Sequence, residues 1–322
     1  MTTKQQLLNL LEEQNGEWLS GEEIARRLSL SRTAIWKGVN ALRSDGYEIQ
    51  GAQNRGYRLS RQTDILSLEG IRKYLKPEYR DREMEVLPIA ASTNALLRDK
   101  AGTGIPEGYA IIANAQTQGR GRLGRRFYSP PDTGLYLSLL LRPSGCTPEQ
   151  GVKVTTMAAV AACRAIESLS GRSTQIKWVN DIYMDGRKVG GILTEGVFNL
   201  ETGSLEHIVL GIGVNVYAPR EGFPEEISRI AGAVLGEQRS DGKNRLAAEF
   251  LNHFLDIYRN GDYAEEYRAK SLVIGRELRV ITPTGERQAV ALDVDRDCRL
   301  IVRYEDGSVD RLSSAEVSIR TK

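Results

Sequence analysis

The sequence predicts an α+β multidomain protein, with an N-terminal winged helix-turn-helix over residues 1–62, a central mixed sheet with helices over 63–271, and an SH3-like β barrel over 272–322. Three observations lead there. The chain has 322 residues, more than the roughly 100–200 that one ordinary domain takes. Its periodicity changes along its length, from helical spacing closed by a short hairpin, through strands mixed with helices, to short alternating strands. Its charge is clustered although it nearly cancels, with 44 Lys and Arg against 42 Asp and Glu.

With 40% hydrophobic and 27% charged residues the chain can bury a core. No apolar run approaches the ~18 residues of a bilayer span. The start, Met1-Thr2-Thr3-Lys4-Gln5-Gln6, lacks the apolar stretch of a secretory signal, so a cytoplasmic protein with no membrane partner is expected. Cys146, Cys163 and Cys298 are odd in number and far apart, which excludes a disulfide framework. With only His207 and His253 beside them a Cys/His zinc site is not expected, and reduced structural thiols are. A net charge of +2 argues, taken alone, against a nucleic-acid partner. Localised, it reads differently. Residues 1–62 carry 9 basic and 7 acidic groups, 63–271 carry 26 of each, and 272–322 carry 9 of each. Three windows are acid-free: Arg26, Arg27, Arg32, Lys37 and Arg43; Arg55, Arg58 and Arg61; and Arg120, Arg122, Arg125 and Arg126. Phosphate is to be sought there.

In the first region Leu7, Leu8 and Leu11 recur at helical spacing. Ser20-Gly21-Glu22-Glu23 is a capping box that opens a second helix with Ile24, Ala25 and Leu28 on its apolar side. After Ser29-Leu30-Ser31, Ser31 caps a third helix running to about Ser44. Ile35, Gly38, Val39 and Leu42 share one side of it, and Thr33, Trp36, Lys37 and Asn40 the other. That polar face can read base edges, with Ser31 and Arg32 at the helix start placed for phosphates. Tyr47-Glu48-Ile49 and Gly56-Tyr57-Arg58-Leu59 read as two strands about a polar tip, a basic wing. The plainer reading is a small protein-interaction module with a solvated basic face; basic islands on both helix and hairpin favour DNA. Gln62-Thr63 reads as a linker.

In the central region strands are expected at 109–113, 135–141, 175–178 and 207–216, and helices at 65–75, 93–100, 149–169 and 243–260. Asp185-Gly186 between apolar runs signals a type I′ hairpin, so an antiparallel α+β sheet is favoured over a doubly wound one. Gly119-Arg120-Gly121-Arg122-Leu123-Gly124 satisfies Gly-x-Gly-x-x-Gly. The proline-containing stretch that follows cannot supply the helix a dinucleotide fold requires. Glycines interleaved with arginines instead suit a flexible loop that wraps a polyanion; a solvated basic loop is the alternative. Lys177-Trp178-Val179-Asn180-Asp181 ends a strand and places a cation rigidly, for catalysis or for a structural Lys-Asp pair. Gly190-Gly191 and Gly211-Ile212-Gly213 put glycine inside strands, where close approach of a ligand or a bulge is the usual reason. Turns at Thr284-Gly285, Arg296 to Cys298 and Asp306-Gly307 pattern the last region.

Taken together, Ser92-Thr93-Asn94, the arginine-glycine loop, Lys177 to Asp181, Gly190 to Leu193 and Gly211 to Asn215, with a winged helix in front, resemble the bifunctional biotin-protein ligase and biotin operon repressor family over essentially the whole chain. The resemblance implies a class II synthetase-like central fold and a two-step reaction with ATP, biotin and Mg2+. Biotinyl-5'-AMP forms first, and biotin then passes to a lysine of the biotin carrier domain of a carboxylase. The adenylate would also serve as corepressor, promoting a homodimer on operator DNA. Residue by residue, Ser92, Thr93, Asn94 and Gln116 match positions that hold the biotin head group. Arg120, Gly121 and Arg122 match the loop that closes over biotin and phosphate. Lys177 matches the site lysine, with Arg120 and Arg122 beside it in catalysis, and Gly211 and Gly213 line the biotin tail. Asn215, Phe127 and Arg122 match nucleotide contacts. Phe223 and Ile227, in 217–236, match a loop that orders over the adenylate.

Two departures stand out. Val179 replaces the family's proline, and Phe127 replaces a tryptophan that covers adenine, keeping the stacking face without the indole donor. Asp181 can orient Lys177 or place Mg2+. A lipoate or octanoate ligase-type enzyme and a ligand-sensing repressor without catalysis are the other readings. The arginine-glycine loop and the winged helix weigh against the first, and the presence of Lys177 against the second.

Overall fold

In a computed structural model of the chain, the residues described are 2–14, 16–60, 64–143, 148–199, 204–239, 241–282, 285–313 and 315–319. Arg61 of the second basic island, the Gln62-Thr63 linker, Cys146 and Thr284 lie outside them. Two compact units emerge, Met1–Lys73 with Glu237–Arg245, and Tyr74–Gly236 with Leu246–Lys322.

The first unit contains α1 (Thr3–Glu13), α2 (Gly21–Leu28), α3 (Arg32–Ser44), β1 (Ile49–Ala52) and β2 (Gly56–Leu59), followed by α4 (Leu68–Tyr74). Its core joins Leu7, Leu8 and Leu11 of α1 to Ile24 of α2, Ile35, Val39 and Leu42 of α3, and Leu59 of the hairpin. The apolar spacing thus delivers the expected three-helix core. Ser20 accepts from Glu23 N at 3.1 Å, and Ser31 from Ala34 N at 3.2 Å. The capping box at Ser20 is only half formed, because the Glu23 carboxylate turns to the guanidinium groups of Arg26 and Arg27 instead of the Ser20 amide. Charged donors outcompete a neutral one. A fully reciprocal box occurs unexpectedly at Thr2 and Gln5. The first wing strand starts at Ile49 rather than Tyr47, whose ring is buried in the core. Residues 237–245 are tied in through side chains: Asn244 Oδ1 accepts from Ser67 N at 2.9 Å, and Lys73 Nζ lies 2.8 Å from Glu12 and 3.2 Å from Asp241.

In the second unit the order is β3 (Met84–Leu87), α5 (Thr93–Ala101), β4 (Ala110–Ala113), β5 (Gly134–Leu141), α6 (Pro148–Ser170), β6 (Gln175–Lys177), β7 (Asp181–Met184), β8 (Arg187–Asn199) and β9 (Ser204–Asn215). Then come α7 (Glu225–Ser228), α8 (Gly242–Asn260), which begins in the first unit, α9 (Ala264–Ala269), and β10 to β14 (Glu277–Thr282, Gly285–Val294, Leu300–Tyr304, Val309–Leu312, Glu316–Ile319). The large sheet runs β3-β4-β5-β9-β8-β7-β6. It is antiparallel except for β3 with β4, which settles the choice between antiparallel and doubly wound sheets. Asp185 and Gly186 both have positive φ and Met184 pairs with Arg187, the backbone a type I′ turn requires. α5 and α6 pack on the sheet. The last strands form an antiparallel sheet ordered β13-β12-β11-β10-β14. Three links fasten this sheet and the segment leading into it to the rest of the second unit. Lys270 and Leu272 hydrogen-bond with Ile176 of β6, Trp178 Nε1 donates to Cys298 O at 3.0 Å, and Arg268 reaches Asp293 at 2.5 Å. Cys163 and Cys298 are buried, and burial pushes the Cys163 thiol up to about 12. Among the described residues no helix is long and apolar enough to cross a membrane.

His207, in the middle of the large sheet on β9, is buried with neither ring nitrogen hydrogen-bonded. Burial holds its imidazole below the ordinary value; Glu206 opposes this and Arg142 adds to it. The unfolded chain therefore takes up this proton at higher pH than the folded one, and the associated stability is lost as pH falls through about 6.5. Denaturant unfolding of His207→Leu beside the parent checks this: the parent loses stability relative to the variant between about pH 7.5 and 5.5. Parallel curves would contradict the assignment.

Candidate functional site

Two central strands form the floor. β9 pairs with β5 on one side and β8 on the other, bringing Gly211 opposite Ser138 and Leu193, and Gly213 opposite Tyr136 and Gly191. Gly211 and Gly213 face the same way because strand side chains alternate. A Cβ on Gly211 would stand 2.1 Å from Asn94 Oδ1, and one on Gly213 2.7 Å from the Phe127 ring. Above the floor lies a cavity of about 310 Å3, within the size range of small-molecule sites.

At the Gly211 position the cavity wall is neutral and hydrogen-bonding. Ser92 caps α5, so Thr93 and Asn94 occupy its first turn. Asn94 Nδ2 donates to Glu195 Oε2 at 2.7 Å and Leu193 O at 3.2 Å, while buried Ser138 lies with Oγ 2.6 Å from Asn94 Oδ1 and 2.8 Å from Thr93 Oγ1. A hydroxyl has one proton, so Ser138 donates to the Asn94 carbonyl and accepts from Thr93. Gln116 Oε1 accepts from Thr93 N at 2.9 Å, and its Nε2 donates to Ser129 Oγ at 3.2 Å. These amides are held in fixed orientation before any ligand arrives.

Two residues along β9, about 7 Å further, the wall becomes cationic. Lys188 pairs with Asp181 at 2.6 Å, its stem beside Gly191. Arg122 donates to Asn180 Oδ1 and Ala315 O, each at 3.3 Å, and Asn180 is braced by Ile192 O at 2.8 Å. Arg120 and Lys177 also line the cavity. The arginine-glycine loop forms a small hairpin, Gly121 N to Arg125 O at 2.8 Å and Phe127 N to Gly119 O at 2.9 Å. Leu123 at its tip is left-handed and exposed. Asn215 Nδ2 donates to Gly232 O at 3.0 Å, and Lys188 exchanges backbone bonds with Ile230 and Gly232, which pins part of the 217–236 segment beside the site.

Ser92, Thr93, Asn94, Gln116, Arg120, Gly121, Arg122, Phe127, Lys177, Gly211, Gly213 and Asn215 all line this one cavity, as do Phe223 and Ile227. Sequence reasoning missed Lys188, Ser138, Glu195 and Val317. Lys188 was within reach: a two-residue turn at Asp185-Gly186 sets Lys188 opposite Tyr183, on the face of Asp181. Asp181 is the only carboxylate lining the cavity among the described residues, so Mg2+ there would rely on it and on substrate phosphates, as that ion commonly does. In the first unit Ser31, Arg32, Thr33, Trp36 and Lys37 are exposed along one face of α3, with Asn40 half-buried. Arg26 and Arg27 are committed to Glu23, and Arg43 to Ile49 O at 2.7 Å, which removes three cations from the first basic island.

Fold and site together define a protein-ligase type of catalytic domain preceded by a helix-turn-helix. Models of known families match in the same order: an HTH domain over 3–58, the biotin/lipoate A/B protein ligase family over 86–215, and the biotin protein ligase C-terminal domain over 273–320. The bifunctional ligase/repressor BirA of Bacillus spizizenii is 32% identical, the alignment covering 99% of each chain. That of Escherichia coli is 28% identical over 95% of this chain and 94% of its own. A solved biotin protein ligase from Aquifex aeolicus, in complex with biotin and ATP, shares the fold at TM-score 0.62 and 24% identity, covering 74% of this chain and 99% of that one. The chain belongs to the bifunctional biotin-protein ligase and biotin operon repressor family.

Ser138→Ala strips a buried partner from both Asn94 and Thr93, and should cost about 1–3 kcal/mol in denaturant unfolding. An unchanged midpoint would mean that the hydroxyl does not hold the pair.

Proposed function

We propose that this protein is an ATP-dependent biotin-protein ligase that is also a biotinyl-AMP-dependent transcriptional repressor. One observation carries the ligase reading. A single cavity runs from neutral hydrogen-bonding groups at Ser92, Asn94 and Gln116 to a cluster of cations at Arg120, Arg122, Lys177 and Lys188, over a floor bare of side chains at Gly211 and Gly213. A neutral ureido ring with an apolar tail ending in carboxylate matches that gradient.

In the first step a carboxylate oxygen of biotin attacks the α-phosphorus of ATP, and the bond to the bridging oxygen breaks to release pyrophosphate. Both reactants are anions. The cations offset their repulsion and meet the charge that develops on the phosphoryl oxygens, while the fixed amides hold the ring and so set where the carboxylate lies. Mg2+, when bound, neutralises phosphate charge. Phe127, whose ring lies over Gly213 and meets Tyr136 edge-on at 6.3 Å, offers a stacking face to the nucleotide. In the second step the neutral amine of a carrier-domain lysine attacks the acyl carbon of the mixed anhydride, and AMP leaves.

The repressor reading rests on the exposed polar face of α3 beside a basic hairpin. The adenylate acts as corepressor by favouring a homodimer, in which two copies bind two operator half-sites.

Lys177→Ala and Arg122→Ala should each lower biotin-dependent exchange of pyrophosphate with ATP by at least ~100-fold. Near-parental exchange in both would remove the electrostatic role given to them. Deleting residues 1–62 should abolish operator protection while the catalytic residues stay in place; a truncated chain that still protects its operator would refute the DNA-binding assignment.

A further inference from the structure

The hairpin of the first unit carries a feature that the helix-turn-helix pattern does not explain. Residues just before α2 run along the outer side of β2. Leu19 N donates to Tyr57 O at 2.8 Å and Tyr57 N to Leu19 O at 2.9 Å, a third strand in all but length. The fit is close enough to demand glycine at the strand start. Gly56 has φ +93°, and a Cβ there would stand 2.1 Å from Leu19 O.

Trp18, next to Leu19, is thereby fixed beside the wing. Arg58 Cζ lies 4.8 Å from the centre of its ring and Arg55 Cζ 5.5 Å. Arg58 is held a second time, by Nε donating to Gln50 Oε1 at 2.8 Å across the hairpin. Several other cations of the unit are already committed, Arg26 and Arg27 to Glu23, Arg43 to Ile49 O, and Lys4 to Asp45. No acidic residue lies between Glu48 and Asp64 to claim the wing arginines.

We propose that Trp18 is a positioning residue for DNA binding: its ring is the platform that holds Arg55 and Arg58 as a pair of guanidinium groups directed at phosphates of a duplex. A guanidinium resting on an aromatic face keeps its N–H edge available while its weakly hydrated face is covered, so less side-chain freedom is lost when phosphate arrives. This rests on the DNA-binding reading above.

The test uses the full chain with biotin, ATP and Mg2+. The probe is random-sequence double-stranded DNA, with Kd measured across a range of salt. Trp18→Leu should weaken binding roughly fivefold or more and flatten the dependence of log Kd on log salt by about 1–2, the contribution of one or two phosphate contacts. Trp18→Phe, which keeps an aromatic face, should fall between the two, and biotin-dependent pyrophosphate exchange should be unchanged in both. The pair Arg55→Lys with Arg58→Lys keeps charge and loses planar stacking. It should weaken binding as well, and adding Trp18→Leu to it should change little further. Parental Kd and slope in Trp18→Leu would overturn the proposal. If that variant does not fold, a parental Kd in the double lysine variant would overturn it instead. A parental chain that binds no duplex at low salt would remove the DNA-binding reading itself.

Discussion

Were Gly211 and Gly213 any other residue, the Asn94 amide and the Phe127 ring could not occupy the places they hold, 2.1 Å and 2.7 Å from where a Cβ would stand. The cavity depends on those missing atoms. Because β9 lies between β5 and β8, the gap they leave is walled by strands on both sides, with Ser138 beneath Asn94 and Gly191 beside Lys188. Strand glycine normally weakens a sheet through entropy and lost packing. Here long pairing ladders to both neighbours hold the strand in place. A sheet gives the cavity a rigid floor, and rigidity is what fixes the spacing between its neutral wall and its cations.

The segment Lys177 to Asp181 is held from behind by the C-terminal part of the chain. Trp178 donates to Cys298 O, Tyr267 Oη donates to Val179 O at 3.0 Å, and β6 is flanked by Lys270 and Leu272. From the front, Arg122 spans Asn180 and the Ala315 carbonyl, and Val317 lines the cavity. The last sheet is therefore part of the wall of the site. The Val179 carbonyl in this segment is fixed by Tyr267 and its side chain is buried.

What the sequence made legible was set by local rules. Helix faces, the caps at Ser20 and Ser31, and the hairpin at Asp185-Gly186 follow from spacing of a few residues, and all are present. Residues that line the cavity were found through short strings whose composition is unusual for their element, such as glycine inside a strand or arginine between glycines. Ser138 and Glu195 carry no such mark. Their roles arise from the register of β5, β8 and β9 and the entry angle of α5, which no local window contains. The charge islands were visible but overcounted: Glu23 sits at the edge of an acid-free window and neutralises Arg26 and Arg27 one helical turn away. Trp18 reads in sequence as an ordinary aromatic before a capped helix, and only the pairing of Leu19 with Tyr57 places it against the wing.

A neutral amide network, a glycine floor and a cation cluster in one cavity are together the basis on which a biotin ligase is proposed. The most direct test is to give the purified chain ATP, Mg2+ and a carboxylase carrier domain, with biotin or lipoate as the acid, and to follow the mass of the carrier. Attachment of biotin to the carrier lysine, dependent on ATP, is the expected result. Attachment of lipoate in its place, or no transfer of biotin by protein that is folded, would contradict the account.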